Sequence, residues 1–316
     1  MNKFLLKIYS HFLQSLTFKP SLKIKIKKDI IYFGLGGSAI SGDLLKIVFP
    51  SLNIEVKRTF KILPSEVKNF KNKSIIVASW SGMTKETILV LKQLLKLKQK
   101  PIILTSNGEI EKIALNKNLP LIKFPLNNFP PRFNFGYFFS SLIWGLNKQK
   151  YLQLNKISKR NPKKFYNQIL PQAKKIIPIL KNKIIAIYTD EFNFPLTILA
   201  KIKINENLHR HCLINYFPEL FHNEILGYNS KKLPVLIFKN KNNLLIEKER
   251  EIFKKLLKNK SKIQEIILPQ NSFLKIIFVN LLIETATFLI KKEKILDTSL
   301  LNKIKNLLNY ETNNNS

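Results

Sequence analysis

Short apolar runs rich in β-branched residues recur along the chain, separated by longer stretches with helical spacing. DIIYFGLGG, NIEVKR, KSIIVAS, KPIILTS and LPLIKFP follow one another at intervals of about 20 residues, each of a length suited to a strand. KIIAIYTD, HCLINYF, LPVLIFKN and KIQEIILP resume the alternation after a helical, proline-punctuated stretch, FYNQILPQAKKIIPILKNK. Near-continuous apolar strands alternating with helices mark βαβ units, because a parallel sheet must be covered on both faces. The expected class is α/β, with two parallel-sheet domains spanning 1–150 and 151–316.

Two further apolar stretches read as helices. MNKFLLKIYSHFLQSL is interrupted by Lys7, His11 and Gln14, and no small-residue cleavage site follows, so an amphipathic helix is expected instead of a signal peptide. IIFVNLLIETATFLI carries Asn280 and Glu284 and falls short of the ~20 residues that span a bilayer. It reads as a buried core helix, and the protein as soluble and cytoplasmic without a membrane partner.

Charge changes the picture less than its size suggests. The chain of 316 residues carries a formal net charge of +34, which would ordinarily point to nucleic acid. Only five of its 54 basic residues are arginine, at 58, 132, 160, 210 and 250. Phosphate clamps and groove readers favour arginine for its planar fork. The dispersed lysines, with abundant asparagine, isoleucine and phenylalanine, read as the compositional drift of an AT-rich genome, and no specific nucleic-acid partner is expected. Cys212 is the single cysteine, so a disulfide framework is excluded and a reducing compartment fits.

Special residues cluster at the ends of expected strands. Four of the nine glycines, Gly34, Gly36, Gly37 and Gly42, lie in FGLGGSAISGD, where a tight turn or an anion held at a helix start would each want them. The run lacks the spacing of the dinucleotide fingerprint and the Gly-Lys-Ser/Thr of a P-loop. In ASWSGMTKET, Ser79, Ser81 and Thr84 place three hydroxyls at a strand-to-helix junction. Capping explains one of them; a cradle for a phosphate monoester explains all three. Two prolines stiffen the chain before Arg132 in PPRFNFGY, suited to an oxyanion or to a surface ion pair.

Three of the four histidines, His209, His211 and His222, fall within NENLHRHCLINYFPELFHNE. Leu199, Ile202, Glu206 and His209 share helical spacing, which puts Glu206 on an apolar face where desolvation would raise its pKa towards that of a general base. Pro218 opens an expected short helix, PELFHNEIL, ended by Gly227. A metal site is not expected: the two rings of His-x-His diverge at a helix end, and no second cysteine or H-E-x-x-H pattern is present.

FGLGGSAISGD, SWSGMTKET, PPRFNFGY, KINEN and PELFHNEILGY stand in the order found in the bifunctional phosphoglucose/phosphomannose isomerases, which are built from two sugar-isomerase (SIS) domains. The chain resembles this family from about residue 30 to 230. The resemblance implies an aldose–ketose isomerase without metal or cofactor, working as a homodimer on glucose 6-phosphate, mannose 6-phosphate and fructose 6-phosphate. It implies that Gly37, Ser38, Ser79, Ser81 and Thr84 hold the sugar phosphate and that Arg132 stabilises an enediolate. Glu206 would shuttle the proton between C1 and C2, and His222 would assist ring opening. A C-terminal lysine and hydroxyl are implied as well; among Thr298, Ser299, Lys303 and Lys305, Lys305 is the chosen lysine. Trp80 and Met83 stand where relatives carry tyrosine and asparagine. The alternative is a non-catalytic SIS-type regulator that binds sugar phosphates.

Overall fold

The computed structural model describes residues 2–22, 24–229, 232–240 and 244–292. After an N-terminal helix α1 (Lys3–Ser15), the first half alternates β1 (Asp29–Gly34), α2 (Gly36–Val48), β2 (Asn53–Lys57), β3 (Ser74–Ser79), α3 (Lys85–Lys96), β4 (Ile102–Thr105), α4 (Gly108–Asn116) and β5 (Leu121–Lys123). Three helices follow, α5 (Phe135–Leu146), α6 (Lys148–Ser158) and α7 (Pro162–Leu180). The second half contains β6 (Ile184–Asp190), α8 (Phe194–Leu208), β7 (His211–Phe217), β8 (Val235–Lys239), α9 (Leu244–Leu257), β9 (Ile263–Ile267) and α10 (Ser272–Lys291). The strands form two sheets, ordered β2-β1-β3-β4-β5 and β7-β6-β8-β9, and every pairing is parallel. This is the α/β class expected from the alternation.

Strand periodicity decides which core each residue enters. In the first sheet Ile30, Tyr32, Ile76, Ala78 and Leu104 face inward towards α2 and α5. Their neighbours Ile31, Phe33, Ile75, Val77 and Ile103 pack under α3 and α4. The second sheet divides likewise: Ile185, Ile187, Leu236 and Phe238 face α7, α8 and α10, whereas Ala186, Tyr188, Val235 and Ile237 meet Phe253 and Leu257 of α9. The inner faces of both sheets share one apolar cluster. Helix α1 joins it through Leu5, Ile8, Tyr9 and Phe12 and packs on α5, α7 and α10. Residue 150 falls inside α6.

The proline-punctuated stretch is helical as expected: α7 runs for 19 residues through Pro171 and Pro178. An internal proline costs ~3 kcal/mol, and burial of Ile169, Ala173, Ile176, Ile179 and Leu180 along one stripe offsets it. One local expectation is corrected: PELFHNEIL is not a regular helix. It forms 3-10 turns at Glu219–Phe221 and Glu224–Asn229, because Glu224 is drawn to Tyr188 and Asn215 while Leu220 and Tyr228 enter the core. Helix α10 is long and apolar enough to cross a membrane, but 78% of its most apolar window is buried inside the protein. It is the core helix that its Asn280 and Glu284 suggested.

Candidate active site

Between β1 and β3 the strand order of the first sheet reverses direction, so α2 and α3 leave on opposite sides and open a crevice at the strands' carboxyl ends. Both helix starts point into it. Leu35, at the N-cap of α2, has no side-chain oxygen to cap it, and Thr84, at the N-cap of α3, makes no side-chain cap bond. The Thr84 hydroxyl instead lies 3.0 Å from that of Ser79. Helix starts whose N-cap side chain makes no cap bond, with hydroxyls beside them, suit an anion.

The surrounding loops are tied together by the residues that carry the cradle. Ser38 Oγ accepts from Trp80 N (3.2 Å), and Ser81 Oγ accepts from Met83 N (3.3 Å). Ser106 N and Oγ both donate to the Trp80 carbonyl (3.1 and 2.5 Å). The Trp80 indole stacks on Phe124 at 5.8 Å and 11°, so this departure from the family pattern supports the loop from below. Gly82 has φ +63°, and a Cβ there would lie 1.7 Å from the Asn107 carbonyl oxygen; only glycine lets the two loops approach so closely. The structure therefore gathers Gly37, Ser38, Ser79, Ser81 and Thr84 around one crevice.

Arg132 closes the crevice. It sits in a 3-10 turn, Pro131–Phe133, and is 2% exposed. A Cβ on Gly37 would stand 3.2 Å from the Arg132 Cα, so the glycine turn and the arginine turn are in backbone contact. The guanidinium lies over the Phe133 ring at 4.9 Å; Nε donates to Asn207 Oδ1 (2.8 Å) and Nη1 to Glu206 Oε2 (3.2 Å). Behind the turn, Asn134 donates to the Phe129 and Pro130 carbonyls, while its Oδ1 accepts from His11 Nε2 (2.7 Å) and Asn127 Nδ2 (3.0 Å). His11 is stacked on Phe129 at 4.1 Å. Burial lowers the pKa of His11 and the Asn134 bond opposes this. The sequence showed His11 only as an interruption in an apolar run; its spacing on α1 carried no sign of the Arg132 turn, which lies more than a hundred residues away.

Glu206 is the carboxylate of the site. Its side chain is 27% exposed against 1% for Arg132. Burial raises its pKa, and the charges of Arg132 and Lys203 pull it back. A carboxylate held in this balance beside a fixed cation and an anion cradle can take a proton from a carbon next to a carbonyl, with the cation neutralising the oxygen that gains charge.

The remaining histidines lie elsewhere. His209 is the left-handed cap of α8, exposed, with Nδ1 3.3 Å from Lys291 Nζ, and His211 opens β7. Among the described residues no three His, Cys, Asp or Glu side chains gather to hold a metal ion. His222 is exposed, just past the carboxyl end of β7, in a loop that packs on the α9 face of the second sheet. Glu206 lies near the end of α8, which covers the other face and runs back to the amino end of β7. Seven residues of β7 at ~3.3 Å each separate those two ends by ~20 Å. The structure thus joins Arg132 and Glu206 to the cradle but leaves His222 of the same chain apart. Lys305, with Thr298, Ser299 and Lys303, lies outside the described residues.

Residues 171–283 match the family model of the bacterial phospho-glucose isomerase C-terminal SIS domain. The D-glucosamine-6-phosphate 4-epimerase of Sulfolobus acidocaldarius is 29% identical over 223 residues, 68% of this chain and 70% of that protein. The bifunctional phosphoglucose/phosphomannose isomerase of Aquifex aeolicus is 26% identical over 243 residues, 73% of each chain. Among solved structures, tagatose-6-phosphate ketose/aldose isomerase from Escherichia coli shares the fold with a TM-score of 0.62 at 12% identity, over 93% of this chain and 89% of that one. The chain is thus similar to bifunctional phosphoglucose/phosphomannose isomerases and matches an SIS-domain model over residues 171–283.

Proposed function

We propose that this protein is an aldose–ketose isomerase that interconverts glucose 6-phosphate and mannose 6-phosphate with fructose 6-phosphate through an enediolate. One observation carries the reading: a partly buried Glu206 is paired with a fully buried Arg132, whose backbone touches the glycine turn of the anion cradle. In this reading the phosphate binds at the starts of α2 and α3, between Gly37, Ser38, Ser79, Ser81 and Thr84. Glu206 removes the proton from C2 of the aldose, Arg132 offsets the charge that develops on the enediolate oxygen, and Glu206 returns the proton to C1. The two aldoses differ in configuration at C2 alone, so loss of that proton leads both to one intermediate.

Ring opening by His222 requires a second copy of the chain. The ~20 Å between the two ends of β7 keeps His222 from its own Glu206, so we place the acid of each site on the partner of a homodimer. This assembly supplies His222 across a two-fold axis.

The test follows fructose 6-phosphate in deuterated water by NMR. Deuterium at C2 of newly formed glucose 6-phosphate and mannose 6-phosphate is the expected result. Tight binding of fructose 6-phosphate with no exchange at any carbon would support the regulator reading instead. A second activity is favoured by the likeness to the glucosamine-6-phosphate 4-epimerase. Inversion at C4 when glucosamine 6-phosphate is supplied would establish it.

A further inference from the structure

Two residues of KINEN besides Glu206 are buried and polar. Lys203 is 1% exposed and Asn207 fully buried. They are one helical turn apart, so both project from the same face of α8, and that face meets α10 at Glu284. The Glu284 side chain is 0% exposed and forms a short contact with Lys203 Nζ. Its other oxygen accepts from Asn207 Nδ2 (3.1 Å), which also donates to Thr287 Oγ1 (2.9 Å). From this buried carboxylate two arms reach forward to the site. Lys203 Nζ donates to the backbone carbonyl of Arg132 (3.1 Å), and Asn207 Oδ1 accepts from Arg132 Nε (2.8 Å). Arg132 is thus held at its backbone and at its guanidinium by residues whose own positions are set by Glu284.

We propose that Glu284 is a positioning residue of this site, acting through Lys203 and Asn207 to hold Arg132 and Glu206 in the relative placement that proton transfer requires. A carboxylate in the middle of a long, apolar, buried helix is costly unless it is paired or used. Pairing with Lys203 alone would satisfy one of its oxygens. The second oxygen goes to Asn207, and the remaining polar atoms of both partners go to Arg132, so the network ends at the reacting groups. Burial lowers the pKa of Lys203, and Glu284 beside it opposes the shift. Four charges, two of each sign, make the cluster neutral behind the crevice. The incoming phosphate therefore meets no uncompensated charge from Lys203 or Glu284.

The inference rests on the isomerase reading and is tested by separating stability from positioning. Lys203→Met and Glu284→Leu are made singly and together; the charge-free pair removes the buried ions without leaving one unpaired. If the ion pair only supports the fold, the double variant recovers both thermal stability and turnover. Positioning predicts recovered stability with kcat for fructose 6-phosphate lower by about 10- to 100-fold and KM unchanged, since a misplacement near 1 Å costs up to about 100-fold. Affinity for arabinonate 5-phosphate, whose carboxylate mimics the enediolate, should fall by a similar factor, while affinity for inorganic phosphate stays at the wild-type value. Asn207→Leu, which keeps the branched shape without the polar atoms, should show the same split and serves if the double variant does not fold. A folded double variant, or folded Asn207→Leu, with wild-type kcat and wild-type arabinonate 5-phosphate affinity would overturn the proposal. Wild-type protein that exchanges no proton on any sugar phosphate would remove the isomerase reading, and the two affinities would still decide the positioning. Wild-type protein that fails to bind arabinonate 5-phosphate would overturn both.

Discussion

Replacing Gly82 by alanine should weaken the fold and the phosphate cradle together. Gly82 has φ +63°, and the new Cβ would lie 1.7 Å from the carbonyl oxygen of Asn107. That oxygen belongs to the backbone and already accepts from Thr105 Oγ1 (2.9 Å), so no side-chain rotation relieves the overlap. An L-residue in the left-handed region costs ~1–2 kcal/mol. Relief requires the 80–82 and 105–108 loops to part by more than an ångström. Such a movement breaks the bonds from Ile110 N to the Gly82 carbonyl and from Ser106 N to the Trp80 carbonyl, each 3.1 Å. At ~1 kcal/mol net for each bond, added to the backbone cost, the total loss is ~3–4 kcal/mol. At an unfolding entropy of ~2.1 cal/mol/K per residue, a chain of 316 residues shifts by ~1.5 °C per kcal/mol, a fall in Tm of about 4–6 °C. Movement of the loop also displaces the first N–H groups of α3, so affinity for fructose 6-phosphate should drop by ~10- to 100-fold, about 1.4–2.7 kcal/mol. Circular-dichroism melting and titration calorimetry measure the two effects. Gly227→Ala is the control: no atom lies within 4 Å of its would-be Cβ, and it should melt with the wild type. Gly82→Ala melting within a degree of wild type, with unchanged affinity, would refute the close approach of the two loops.

Glu206→Gln should lower kcat for isomerisation by ~10²–10⁴, with KM little changed, as read in a coupled assay; turnover near wild type would remove Glu206 from its assigned role. Because burial raises the Glu206 pKa, the acid limb of kcat/KM should lie above the ordinary glutamate range. The stability cost of that buried charge is fully present above the raised value and fades as pH falls through it. Denaturant unfolding should therefore show Glu206→Gln gaining on wild type as pH rises, and a flat difference would contradict the raised value. Gly37→Ala sets a Cβ 3.2 Å from the Arg132 Cα. It should leave Tm nearly unchanged and reduce kcat more than phosphate affinity; equal effects on both would show that the arginine turn yields without consequence. Finally, Glu206→Gln and His222→Ala chains, each nearly inactive alone, should regain about a quarter of wild-type activity when refolded together, since half the dimers are mixed and hold one intact site. No recovery, with dimers formed, would disprove the shared site.

Local physics sufficed for the elements. All nine strands among the described residues lie within the apolar runs read from the chain, because a strand buried on both faces needs continuous apolar sequence whatever surrounds it. The glycine turn, the hydroxyl loop, Arg132 and Glu206 were equally legible, since each demands an unusual residue at a strand end or on an apolar helix face. PELFHNEIL was misread for the opposite reason: local propensity pointed to a regular helix, and capture of Glu224 by Tyr188 overrode it. Partnership was beyond the sequence altogether. His11 reaches Asn134 across more than a hundred residues, and Glu284 reaches Lys203 and Asn207 from another helix. Nothing in spacing encodes such pairs; they exist only because α1, α8 and α10 bury their apolar faces in one core and so bring distant polar atoms within bonding distance. The amino-acid sequence by itself determined the α/β elements and the residue types of the candidate site. Tertiary packing decided which of those residues meet, and it separates His222 from the Glu206 of its own chain, because a parallel βαβ unit returns its helix to the opposite end of the strand.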